Sequence, residues 1–307
     1  MSNTWNGMTY TNIAQLGITT LEDALVPLAG FTTDLSADIK DQGTIVNTRI
    51  VPAAAASQDL VDTLSGSYAN AAQDTTTTSV AVTLDPHPVT GFFLTDTQAQ
   101  AIGSGVWSDT AVRLVKSAVR GIAEDVLDSV FALITSSNYS TAAFTGAAST
   151  FDDDDMVDLR QAAVEAGFTM ADNPVCVLNP DYYGALLKDN AIRDTSSSGT
   201  SMPLTVGELP KLKNFAMIEA PTLPGNSQNL VGFIAEPSAI AIAMRGVETQ
   251  SPSDFLHFEI LQGPVTGVVM TYSVMFNRTT RRIEHVFEAL YGVAKAQAAA
   301  LKRMTSA

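Results

Sequence analysis

The stretch SDTAVRLVKSAVRGIAEDVLDSVFALITS constrains the fold more than any other part of this sequence. Val112, Val115, Val119, Ile122, Val126, Val130 and Leu133 recur at the three-and-four spacing of an α-helix. Arg113, Lys116, Arg120, Glu124 and Asp128 occupy the other side. Ser108 reads as the N-cap, with Asp109 at the positive end of the helix dipole. A helix over about 108–136 makes a rod roughly 40 Å long at 1.5 Å per residue. That is long for a compact domain, and Gly121 within it costs about 1 kcal/mol.

Upstream of the rod the chain turns extended. In ANAAQDTTTTSVAVTLDPH, the threonines Thr75, Thr76, Thr77 and Thr78 favour strand, and Val80, Val82 and Leu84 alternate with Ala81 and Thr83. A partner strand is legible in GTIVNTRIVP, where Ile45, Asn47 and Arg49 oppose Val46, Thr48 and Ile50. Two strands joined by a long Ala- and Ser-rich connection predict a hairpin, continued past prolines as DPHPVTGFFLTD. Such a hairpin offers few large apolar groups, and no Lys or Arg occurs from Ile50 to Val112. It is not stable alone, so it must pack against something else.

The remaining segments read more conventionally. Residues 1–42 form a polar lead-in with a short helical candidate near Leu21 to Val26. STFDDDDMVDLRQAAVEAG predicts a helix capped by Thr150, with Asp152, Asp153, Asp154 and Asp155 in the first turn and Gly167 as its stop. The four-aspartate run is also the weak candidate cation site of this chain, though no EF-hand spacing follows it. VCVL is a buried strand, with Cys176 as an inert thiol. NPDYYGALLKD is a helix with Asn179 as cap and Pro180 at its first position. Near the C-terminus, Val268, Met270, Tyr272, Val274 and Phe276 alternate along one strand face. NRTTRR turns the chain with Arg278, Arg281 and Arg282, and Ile283, His285, Phe287 and Tyr291 then alternate against Glu284 and Glu288. AKAQAAALKRM reads as a terminal helix.

Composition narrows the function classes. The chain has 307 residues, and 46% of them are hydrophobic, enough for a sizeable core. Charged residues are only 16%, against roughly 25% in a typical soluble chain. A large core or extensive contact with other chains would each account for that. A net charge of -15 argues against gripping nucleic acid or anionic membranes. No apolar run reaches the roughly 20 residues of a membrane span, and the N-terminus lacks a signal-peptide pattern. His87, His257 and His285 are scattered without metal-ligand spacing, and no C-x-x-C, phosphate loop or nucleophile elbow occurs. His285, on an apolar strand face, reads as a core or interface residue. No catalytic residue and no cofactor are expected.

The order of these segments resembles the major capsid proteins of tailed double-stranded-DNA bacteriophages with the Hong Kong 97-like fold. DQGTIVNTRIV resembles the outgoing strand of their extended loop, and VAVTLDPHPVTGFFLTD its return. SDTAVRLVKSAVRGIAEDVLDSVFALI resembles the spine helix. VLNPDYYGALLKD, GELPKLKNFAMIEAPTLP and LVGFIAEPSAIAIAMRGVE resemble the axial domain. The resemblance implies an α+β chain with an N-terminal arm (1–42), an extended hairpin loop (43–95), a peripheral domain with the spine helix (96–170), an axial domain (171–250) and a β-rich return to the peripheral domain (251–307). It implies self-assembly into pentamers and hexamers of an icosahedral shell around phage DNA, bound without sequence specificity. The expected partners are further copies of the chain, a portal, a separate scaffolding protein and a decoration or cement protein, with no membrane. The expected location is the virion capsid, assembled in the host cytoplasm. Thr75, Thr76, Thr77, Thr78, Val80, Val82, Phe92 and Phe93 are the expected inter-subunit contacts. The isopeptide bond that joins neighbours in some members has no hairpin lysine to form it here. An encapsulin-type nanocompartment shell and, from another class, an acidic soluble hydrolase are the alternatives.

Overall fold

The computed structural model describes residues 10–34, 45–50, 78–95, 106–140, 142–193, 207, 209, 211–223, 227–249, 251–264 and 266–307. The rod is present as helix α2, Val106–Ala132, 27 residues long. Val115, Val119, Ile122, Val126 and Val130 are fully buried on its predicted stripe. Its start lies earlier than the N-cap reading, so Ser108 is inside the helix. The N-terminal lead-in contains far more helix than Leu21 to Val26 suggested. Helix α1, Tyr10–Leu25, buries Ile13, Ala14, Gly17, Ile18, Leu21 and Leu25 along one face. That face packs on α2 and on the sheet beyond it, in the main core. The polar residues between these positions masked the pattern.

The described residues form four sheets, three of which contribute to the core shared with this pair of helices. Strands β1 (Thr32–Asp34), β10 (Ile240–Arg245) and β14 (Leu290–Lys295) form the first, in the order β1-β10-β14. Strands β2 (Ile45–Ile50) and β3 (Thr78–Thr83) form the hairpin stem, with Val46 opposite Val82. Strands β4 (Val89–Thr95), β11 (His257–Gln262), β12 (Val269–Asn277) and β13 (Arg282–Glu288) form an antiparallel sheet ordered β11-β12-β13-β4. The hairpin pairing therefore ends at Thr83: DPHPVTGFFLTD does not extend the return strand, because β4 pairs with β13. The exposed NRTTRR turn joins β12 to β13 as expected.

The last sheet has six strands. They are β5 (Ala142–Thr145), β6 (Val175–Leu178), β7 (Lys211–Leu212), β8 (Phe215–Glu219), β9 (Leu230–Ala235) and β15 (Leu301–Thr305), ordered β5-β15-β9-β6-β8-β7. Strand β6 explains the uninterrupted VCVL: Val175 and Val177 enter the main core, while Cys176 and Leu178 enter a second core on the opposite face. That second core lies beneath helices α3 (Asp153–Glu165) and α4 (Pro180–Lys188), with the short α5 (Asn190–Arg193) following. Burial pushes the Cys176 thiol up to about 12, as suits an inert core residue. Asn179 caps α4 by accepting from the Tyr182 N–H at 3.1 Å.

The C-terminal segment is not a helix. After a short 3-10 turn, Ala298–Ala300, the chain becomes β15, parallel to β5 and antiparallel to β9. Alanine-rich composition favours a helix only weakly. Backbone pairing with β5 and β9, with Leu301 buried in the main core and Met304 in the second, outweighs that preference.

Helix α3 also starts differently from expectation. Asp152, not Thr150, is the N-cap: its Oδ1 accepts from the N–H groups of Asp154 and Asp155, and Asp155 Oδ2 accepts from the Asp152 N–H. The Thr150 hydroxyl instead donates to the Ala147 carbonyl. Burial, with help from Asp152, Asp158 and Asp154, raises the Asp155 carboxyl, while the Asp152 N–H opposes the rise. Gly167, at φ 90°, ends the helix as read. Asp152→Ala is expected to lower the unfolding free energy by about 1 kcal/mol. A denaturant titration measures it, and an unchanged midpoint would show the cap to be idle.

Candidate functional site

The residues expected to meet neighbouring subunits divide into three groups. Thr75, Thr76 and Thr77 lie outside the described residues. Thr78 opens β3, opposite Ile50, and Val80 is half-buried. Val82 corrects the expectation, because it is 0% exposed within its own subunit. Phe92 likewise faces inward, stacked on His285 with centroids 4.8 Å apart. Phe93 alternates outward and is 50% exposed.

The burial of Val82 shows how the hairpin is rooted. Strand β10 alternates large and small residues: Ile240, Ile242 and Met244 fill the main core, while Ala241 and Ala243 face the stem. Val46, Val82 and Leu84 settle on those alanines. On the adjacent β14, a Cβ at Gly292 would lie 2.3 Å from the Thr83 carbonyl oxygen. Only glycine allows that approach of backbone to backbone. The hairpin base thus packs on its own chain. Five small residues in β10, β14 and after (Ala241, Ala243, Gly292, Ala294 and Ala296) supply a seat that carries no hydrophobic signal of its own.

The second exposed feature is the outer face of the four-stranded sheet. The ladder register puts Val89, Glu288, Thr271 and Ile260 in one cross-strand row, in which Thr271 is buried and bonded to the Val247 backbone, so that Val89 and Ile260 are exposed at opposite edges. Phe93, Glu284 and Met275 form another. Val89 and Ile260 join Phe93 as large apolar side chains in the open. The Arg282 guanidinium lies 4.1 Å from the centre of the Phe93 ring, a cation–π contact. Sequence reading missed Val89 and Ile260, although the period of two in VTGFFLT put Val89 on the side of Phe93.

The inner face of that sheet holds the histidine read as a core residue. His285 is 3% exposed, and the Tyr272 hydroxyl lies 2.7 Å from its Nδ1. A solute cannot reach it, so it is no general base for an external substrate. The aspartate run is engaged as well: beyond the helix cap, Asp153 accepts from Lys213 Nζ at 2.7 Å. Among the described residues no group of three or more His, Cys, Asp or Glu converges as a metal ion would require. Asp152 to Asp155 form the start of helix α3, with Asp152 and Asp155 in its capping box and Asp153 paired with Lys213. Among the described residues no helix is long and apolar enough to cross a membrane.

A rod helix packed on a second helix, a mixed six-stranded sheet, an antiparallel four-stranded sheet, and a two-stranded stem seated on a third sheet make up an α+β chain with the Hong Kong 97-like capsid fold. Solved structures of that class superpose on the chain. A chain of Mycobacterium phage Che8 matches with a TM-score of 0.57 and 16% identity, over 90% of each chain. The capsid structure of the cyanophage P-SCSP1u gives a TM-score of 0.57 at 13% identity, covering 90% of this chain and 86% of that one. The mature capsid of bacteriophage PhiM1 gives 0.55 at 10% identity, covering 91% of this chain and 86% of that one. No protein-family model and no curated protein sequence matches.

Proposed function

We propose that this chain is the structural subunit of a phage capsid shell. The observation that carries the reading is the fold shared with phage capsid chains over about nine tenths of this chain. The rooted hairpin stem and the exposed Val89 and Phe93 on the edge strand β4 support it, since both suit contact with further copies of the same chain. In this reading subunits form pentamers and hexamers, closed by hairpins into an icosahedral shell that encloses DNA. Portal, scaffolding and decoration proteins would be its partners, and the virion its location after assembly in the host cytoplasm. A wall with net charge -15 does not grip phosphates, which eases the entry of DNA. The subunit acts as a building block and not as an enzyme.

The expressed chain is expected to elute in the void volume and to show closed particles in negative stain. Elution as a small multiple of 32.4 kDa would contradict the proposal. Deletion of residues 66–76 is expected to leave folded subunits that fail to close. Shells of normal yield from the deleted chain would remove the hairpin from the mechanism. Nucleic acid in purified particles supports the phage reading; protein cargo alone would favour a nanocompartment.

A further inference from the structure

Tyr10, at the first turn of α1, closes over a cluster of rings on the inner face of the four-stranded sheet. Its ring centroid lies 5.6 Å from that of His257 and 6.1 Å from that of His285. His285 is stacked on Phe92 and hydrogen-bonded to Tyr272. With Tyr272 donating to Nδ1, the neutral ring carries its one proton on Nε2. The groups facing His285 are Tyr272 from β12, Tyr10 from α1 and Phe92 from β4. One ring further is His257 of β11, whose Nε2 lies 3.2 Å from the Glu259 carboxylate. Helix α2 adds the apolar Val115 and Val119 to the same core. On β13 itself, Glu284 is turned to the outer face and bonded to Asn277.

We propose that this cluster is an acid-operated latch, in which protonation of His285 releases the N-terminal end of α1 from the sheet while the rest of the subunit stays folded. The step binds one proton from water at Nδ1. The Tyr272 hydroxyl can then no longer donate to that atom and must turn to accept from it. The imidazolium needs water, and the attachments around it differ in strength. Strand β13 is held by ladders to both β12 and β4. The C-terminal half of α1 is held by Leu21 and Leu25 in the core and by Glu22, which accepts from the Thr266 N–H at 2.8 Å. Ile13, Ala14, Gly17 and Ile18 also anchor the helix in the core, whereas Tyr10, in the turn ahead of them, is held by ring contacts alone, so the first turn yields first. The latch belongs to the subunit and does not depend on whether subunits form a shell.

The sign follows from linkage. Burial lowers His285 to about 4 in the closed state, while an open state has the ordinary value of about 6.5. The closed state is fully favoured above about pH 6.5 and loses ground as pH falls toward 4. Between pH 7.5 and 4.5 the opening constant rises on the order of 50-fold.

Hydrogen exchange on the full chain, corrected for intrinsic rates, tests this. The amides of residues 14–16, whose helical hydrogen bonds run back to the first turn of α1, are expected to lose protection on the order of 50-fold between those pH values, while residues 21–25 and the six-stranded sheet keep theirs. His285→Gln, neutral at every pH and able to accept from Tyr272, is expected to abolish the response. Tyr272→Phe combined with His285→Phe removes both polar groups and serves equally if the first variant fails to fold. Exchange of the His285 C2–H in the unmodified chain locates its titration directly. A midpoint at the ordinary histidine value overturns the latch. So does a pH response that survives in either variant, or a loss of protection that spreads through the whole chain at once.

Discussion

Ile122→Asp is expected to leave the chain insoluble or unfolded. Ile122 is 0% exposed and lies mid-way along α2, in the core shared by both helices and by strands from three of the sheets. An aspartate there loses the aliphatic carbons beyond Cβ and places a carboxylate among Val115, Val119 and Val126. An uncompensated buried charge together with lost packing costs on the order of 5 kcal/mol, comparable to the whole stability of many domains. Ile122→Val, at about 1 kcal/mol, is the control that separates shape from charge. Circular dichroism and solubility read the outcome. A folded, soluble Ile122→Asp chain would mean that α2 is not the structural spine of this fold.

Gly292→Val acts on the other half of the design, where the body is expected to fold and the arm to come loose. The new side chain would start 2.3 Å from the Thr83 carbonyl oxygen, and that neighbour is backbone. Strand β14 cannot retreat, because Gly292 is paired with Ala243 of β10. Strand β3 must therefore lift, exposing Val46, Val82 and Leu84. Loss of three buried aliphatic side chains amounts to roughly 5 kcal/mol of seating free energy. Limited proteolysis should cut the variant within the hairpin, while the fragments containing α2 and the six-stranded sheet remain protected. In the capsid reading, particles disappear from negative-stain fields while the helical signal persists. A hairpin as protected as in the unmodified chain, together with normal shells, would show that the seat does not orient the arm.

The two substitutions mark where the sequence was legible and where it was not. Helix α2 could be read from its own residues because its stripe is set by period 3.6 and needs no knowledge of what covers it. The same holds for VCVL, the Asn179 cap, the inert Cys176 and the buried His285. Each depends on a local pattern, or on the cost of burying a group without a partner. The hairpin strands were legible by alternation, but their seat was not. Alanines and a glycine are small for a reason that appears only when another backbone lies against them. The outward placing of Val89 and Ile260 on the two edges of one sheet likewise appears only through the pairing of β4 with β13 and of β11 with β12.

Where local preference and long-range pairing disagreed, pairing decided the outcome. AKAQAAALKRM carries helix-forming residues, yet its end is strand β15, because it pairs with β5 and β9 and buries Leu301 and Met304. FFLTD continues the hairpin in sequence, yet it joins β13, nearly two hundred residues away. A propensity difference of a few tenths of a kcal/mol per residue cannot oppose a full set of ladder bonds and two buried side chains. The residues themselves determined the rod, the two-sided strand and the acidic, low-charge character of the chain. Only the tertiary structure decided which strands became neighbours, and so which side chains were left exposed, because a strand's partner lies outside its own segment.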